Sequence, residues 1–151
     1  MKTNFEILKI GRQHFASILN EFSTEQLNKI PAGFSSNLIW NIGHVVVTQQ
    51  LLHYTLSGTA PRISPEMIAK YRKGSSGNIK VGEEEINLIK KLLVEMPEQL
   101  EKDYVNACFG EYKEYPTSFK FTLRSLEDAI SFNNVHEGMH FGIVMRLKKN
   151  V

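Results

Sequence analysis

The chain has 151 residues, the size of one ordinary domain, and 42% of them are hydrophobic, too many for a disordered chain and enough for a core. Its formal net charge of +2, from 18 basic and 16 acidic side chains, points to no nucleic-acid partner. A single cysteine, Cys108, excludes an internal disulfide or a CxxC pair, and the absence of long apolar runs excludes a membrane span.

The expected fold is all-α, a four-helix bundle with long connections over a single domain of residues 1–151, because the four strongest periodic segments have helical spacing. The opening residues lack the unbroken apolar stretch of a signal peptide, and Lys2 stands where myristoylation needs glycine, so a cytoplasmic location is expected. The first helix is predicted over Thr3–Phe22, with Phe5, Leu8, Phe15, Ile18, Leu19 and Phe22 on one face. Ser23 and Gln26 then form a capping box for a short turn before Pro31. The second helix is predicted over Ser36–Ser57, stopped by Gly58, with Trp40, His44, Val47, Leu51 and Leu52 on its inner stripe.

From Gly58 to Val81 the spacing predicts a loop, with Pro61, Pro65 and the run Gly74-Ser75-Ser76-Gly77. Asn78 after that run is not the Lys-Ser/Thr of a phosphate loop. The third helix begins after Gly82, where Glu83, Glu84 and Glu85 suit the positive end of a helix dipole. Ile86, Ile89, Leu93, Met96 and Leu100 form its stripe, and Pro97 within it is expected to kink it. The connection from Val105 to Thr122 carries Phe109, Tyr112, Tyr115, Phe119 and Phe121; such a segment either covers a site or caps one end of the core. The fourth helix starts at the N-cap Ser125, and its stripe reads Leu126, Ile130, Asn133, His136, His140, Val144, Leu147. The densest basic groups, Lys70, Arg72 and Lys73 and the tail Arg146, Lys148 and Lys149, read as solvated surface.

The chemistry lies in the histidines. Four residues apart, His136 and His140 occupy one face of a helix, the spacing at which two imidazoles grip one ion at about 2.0–2.1 Å. His44, on the inner stripe of another helix, supplies a third ligand. Three protein ligands leave a coordination position open, as catalytic sites do. Asn41 and Asn133, each one turn before one of these histidines, are either partners that orient the rings or surface amides. His14 and His53 are single histidines and take no role. Residues 136–140 read His-Glu-Gly-Met-His, a literal match to the zinc-protease pattern with Glu137 as base. The eleven residues after His140 contain no His, Asp or Glu to serve as the third ligand, so Glu137 is unassigned: an acceptor for the far nitrogen of a ligand histidine, a contact to a bound water, or a surface charge.

The segments Leu27-Asn-Lys-Ile-Pro31, Asn37-Leu-Ile-Trp40-Asn-Ile-Gly-His44 and His136-Glu-Gly-Met-His140-Phe-Gly142 make the chain resemble the DinB-like, or YfiT-like, metalloenzyme superfamily over nearly its whole length. The resemblance implies a usually dimeric four-helix bundle with one nickel or zinc ion, its three ligands falling on His44, His136 and His140. It also implies, for some members, S-transfer from a small thiol of the bacillithiol or glutathione type. Against that expectation stand two alternatives: a metal-dependent hydrolase, and a non-catalytic metal-binding stress-response dimer. No catalytic side chain is assigned; Cys108 lacks any neighbour in sequence that would activate it.

Overall fold

A computed structural model describes all 151 residues. Four long helices form the body: α1 (Lys2–Glu21), α3 (Leu38–His53), α5 (Glu83–Val105) and α6 (Leu126–Leu147), with short helices α2 (Thr24–Asn28) and α4 (Pro65–Tyr71) between them. A two-residue hairpin, β1 (Tyr115–Pro116) antiparallel to β2 (Thr122–Leu123), precedes α6, with Tyr115 opposite Leu123. The architecture is all-α, as the periodicity predicts.

The order in space follows from which faces are apolar. α1 packs on α5 and α6, and α3 packs on the same two, so α1 and α3 lie across a diagonal. α1 buries Phe5, Leu8, Phe15, Ile18 and Leu19, a single stripe at helical spacing. α3 is different. The expected single stripe is overturned, because 13 residues from Leu38 to His53 are buried. Flanked by α5, α6 and α4, it has almost no solvent face, while Trp40 and Leu51 of the expected stripe are only half-buried. The helix is also shorter than Ser36–Ser57. Asn37 caps it, accepting from the Trp40 amide at 2.9 Å, and Thr55–Ser57 form a separate 3₁₀ turn ending at Gly58.

The clearest correction is α4. The segment expected as loop between Gly58 and Val81 contains a helix whose start is spelled out: Ser64 accepts from the Met67 amide at 3.2 Å, and Pro65 occupies the first turn. Proline there costs nothing, since its missing N–H has no helical partner anyway. The Ser23–Gln26 capping box forms as expected, as does the Ser125 cap on α6. α5 continues through Pro97 to Val105. The aromatic connection divides its labour: Phe109 packs on Tyr54, 5.0 Å between rings, and the Tyr112 hydroxyl donates to the Leu52 carbonyl. Both cap the end of α3, leaving Tyr115 and Phe119 for the cavity described next. No helix is long and apolar enough to cross a membrane.

Candidate metal centre

α3 and α6 pack directly against each other, and this contact brings the three histidines together. The ring centroids of His44 and His140 are 4.7 Å apart, those of His136 and His140 4.6 Å, and those of His44 and His136 5.2 Å. One ring nitrogen from each lies within 4.8 Å of the others. His44 is buried, whereas His136 and His140 are only half-buried, less enclosed than their place in the stripe implies.

Surrounding groups fix which nitrogen each ring offers. His44 Nδ1 lies 2.7 Å from the Tyr71 carbonyl. A carbonyl only accepts, so Nδ1 carries the proton and Nε2 keeps its lone pair. The Thr48 hydroxyl, 3.2 Å away, faces that Nε2. Trp40 stacks on the His44 ring at 4.8 Å and 10°. The Tyr71 carbonyl reaches His44 because the Tyr71 ring lies flat on Gly43: a Cβ there would stand 2.4 Å from Tyr71 Cδ1. α4, absent from the sequence reading, is thus the element that orients the first histidine.

His140 is oriented by Asn41. Its Nδ1 lies 3.0 Å from Asn41 Oδ1. The Asn41 amide nitrogen donates to the Asn37 carbonyl at 2.8 Å and to Ser36 Oγ at 2.9 Å, which leaves the amide oxygen for the ring. His140 Nδ1 is therefore the protonated atom and Nε2 the free one. Of the two roles open to Asn41, orienting a ring is the one the structure displays. His136 carries the orphan: its Nδ1 is buried with no hydrogen-bond partner, an arrangement that is costly unless something satisfies it. Burial lowers the pKa of all three rings, His136 to about 3 and His140 to about 4; neighbouring histidines add to the shift of those two, and Lys73 to that of His44. At neutral pH they are uncharged, the protonation state a metal ligand needs. Three neutral imidazoles, each with one ring nitrogen within 4.8 Å of the others, fit a divalent ion.

Glu137 settles differently from any option open in the sequence. It is buried and held by Arg12, whose Nε donates to Oε2 and Nη2 to Oε1, both at 2.7 Å. Asn133 donates to the same Oε1 at 2.7 Å, so Asn133 steadies a carboxylate, not a histidine. Arg12 Nη2 also reaches the Val45 carbonyl and Gln49 Oε1, each at 3.0 Å, and Gln49 donates to the Met96 carbonyl at 3.0 Å. This cluster ties α1, α3, α5 and α6 together. Sequence reasoning missed Arg12, though a signal existed: it sits four residues after Leu8 and three before Phe15, on the apolar face of α1. Of the remaining histidines, His14 is exposed. His53 is fully buried, donating from Nδ1 to the Gln49 carbonyl at 2.6 Å.

Beside His44 and His136 opens a cavity of about 360 Å³, within the usual range for small-molecule sites. Leu51, Leu52, Leu56, Phe132 and Met139 supply most of its wall, and Tyr115, Thr117, Ser118 and Phe119 of the hairpin cover it. Lys73, expected as plain surface, also lines it, and no carboxylate does. Cys108 is exposed and lies outside it.

A helical bundle with a clustered histidine triad between two core helices, opening on an apolar cavity, defines a class of metal-site bundle proteins. The model of the DinB superfamily matches residues 7–144, and the chain belongs to that superfamily. No curated protein matches the chain significantly.

Proposed function

We propose that His44, His136 and His140 hold one divalent ion, nickel or zinc, and that the adjoining cavity hosts S-transfer from a low-molecular-weight thiol of the bacillithiol or glutathione type to an electrophile. The observation that carries this reading is the clustering of three neutral imidazoles, two of which, His44 and His136, line a mostly apolar cavity. When bound, the ion supplies a Lewis acid that lowers the pKa of a coordinating thiol. The chain's own residues do the rest. Tyr71 and Asn41 lock two rings in the tautomer that presents Nε2. Leu51, Leu52 and Phe132 hold the electrophile's apolar body and exclude water, which positions it for attack. In the reaction a sulfur–carbon bond forms as the bond from that carbon to its leaving group breaks. The leaving group departs with the electron pair, and the thiol's proton passes to solvent.

One observation weighs against the hydrolase alternative. A zinc-protease arrangement needs a free carboxylate beside the ion, and both oxygens of Glu137 are engaged by Arg12. A homodimer is proposed as well, seated on the exposed face of α6. Val135, Met139, Ile143 and Met145 there are exposed apolar side chains, and Gly138 and Gly142 leave open space beside them. Such a patch suits a self-complementary contact.

Metal analysis of untagged protein should find about one nickel or zinc per chain. His44→Ala should lose it, and His14→Ala should keep it. Less than about a tenth of an ion after reconstitution contradicts the site. Metal-loaded protein with bacillithiol or glutathione should conjugate monochlorobimane faster than the metal-free form, and His140→Ala should remove the difference. Equal rates for wild type and His140→Ala with every thiol leave a non-catalytic metal-binding protein, and thiol-independent ester hydrolysis would restore the hydrolase.

A further inference from the structure

Lys73 is the only side chain with a permanent charge among those lining the cavity, and its position is built. It lies between two anchors on α3. On one side, the Tyr71 carbonyl takes the hydrogen bond from His44. On the other, Ser75 Oγ accepts from Trp40 Nε1 at 3.0 Å, and Trp40 is the ring stacked on His44. Between the anchors the chain makes a tight turn: the Ser75 amide donates to the Arg72 carbonyl at 3.1 Å. Gly74 takes φ +85° in that turn, a conformation glycine adopts without strain. The backbone of Lys73 is thereby fixed to the helix and the side chain that position the first histidine, on the His44 side of the cavity. Most of the rest of the lining is apolar, from Leu51, Leu52, Leu56, Phe119, Phe132 and Met139. The Lys73 side chain is exposed at the cavity rim, and no carboxylate lines the cavity to pair with it, so its ammonium is free to meet an anion that enters there.

We propose that Lys73 makes this cavity selective for a compound with an apolar body and one anionic group, the body against the leucines and phenylalanines and the anion on the Lys73 ammonium beside the histidines. The proposal deepens the transferase reading by naming the charge and shape of the molecule the site takes. It rests on that reading only in assigning this cavity to the substrate. Because it concerns binding, it stands or falls separately from the chemistry.

The test compares two dyes with nearly the same aromatic frame, 8-anilinonaphthalene-1-sulfonate and the uncharged N-phenyl-1-naphthylamine, titrated by fluorescence into full-length protein with its metal content measured. Lys73→Met should weaken the sulfonate dye about fivefold, the upper end for a rim ion pair. Lys73→Glu should weaken it more than about tenfold, because repulsion replaces attraction. Affinity for the uncharged dye should stay the same in both variants. Sulfonate binding that is indifferent to both substitutions, or equal losses for the two dyes, overturns the proposal. Charge discrimination in protein that binds no metal supports the anion site while removing the metal reading. A unit metal content without discrimination does the reverse.

Discussion

His136 and Glu137 are consecutive in α6, yet they enter polar clusters of opposite character. Glu137 faces α1, where Arg12 makes two 2.7 Å bonds to it, Asn133 adds a third, and the pair is almost wholly buried. His136 faces α3, where it meets two more neutral rings at the edge of a cavity and one of its nitrogens has no partner. A helix turns about 100° per residue, so one step along the chain passes from one environment to the other. On the α1 side, charge is matched by charge, and both carboxylate oxygens are engaged, although Arg12 Nη1 and Asn133 Oδ1 have no partner. On the α3 side, charge has been suppressed by burial and lone pairs are left unspent. A buried ion pair holds a fold together, whereas neutral imidazoles clustered beside a cavity are free to take a ligand. The five-residue motif that suggested a protease contains both kinds.

The largest effect should come from opening the closed cluster. Arg12→Ala leaves the Glu137 carboxylate buried without its counter-ion, and should cost about 3–5 kcal/mol, measured by urea denaturation of metal-free protein. Replacing both partners, Arg12→Met with Glu137→Leu, should recover most of that loss. A cost below about 1 kcal/mol for Arg12→Ala would place this pair with surface ion pairs and erase the contrast.

A smaller effect concerns pH and separates burial from ligation. His53 is more deeply buried than the triad and belongs to no cluster, and burial holds its pKa at about 4, below the unfolded value of about 6.5. Above pH 6.5 the ring is neutral in both states and the stability is fully present. As pH falls from 6.5 toward 4, the unfolded chain takes up a proton that the folded chain refuses, so stability is lost. Between pH 7 and pH 5 the loss from His53 should be about 2 kcal/mol. His53→Phe should flatten that part of the profile, and an unchanged slope would contradict it. In metal-free protein His136 and His140 add losses of the same sign, since both are held lower still or alike.

The smallest effect is on the open side. Asn41→Ala removes the oxygen that fixes the His140 tautomer without touching any ligand nitrogen. Metal affinity by calorimetry should fall about tenfold in protein that urea denaturation shows to be still folded. An unchanged affinity would mean that the ring needs no such guide.

Local signals carried most of this structure. Ser125 capping α6, the Ser23–Gln26 box, the acidic start of α5 and the four-residue spacing of His136 and His140 are all relations within one turn of helix, where sequence distance and spatial distance agree. What was missed depends on partners far apart. Arg12 and Glu137 are separated by 125 residues, and nothing local reveals that a charge on an apolar face has found its counter-charge. The one-stripe reading of α3 failed because a helix covered by neighbours on nearly every side presents no contrast between faces. α4 was legible in principle from Ser64 and Pro65, but proline weighed as a breaker where it was a starter. Lys73 looked like any surface lysine because its significance comes from a turn pinned by Trp40, 33 positions earlier in the numbering of the chain.

Trp40 is the chain's one tryptophan, and its indole lies flat on the His44 ring. The protein therefore carries its own optical probe at the site. An ion captured by His44 would sit one ring away from the sole indole emitter. Nickel, with its partly filled d shell, should quench that emission on binding, whereas zinc, with a filled shell, should leave it bright. Ultraviolet fluorescence of the unlabelled protein can thus follow the capture of nickel, with zinc as its silent competitor in the same titration.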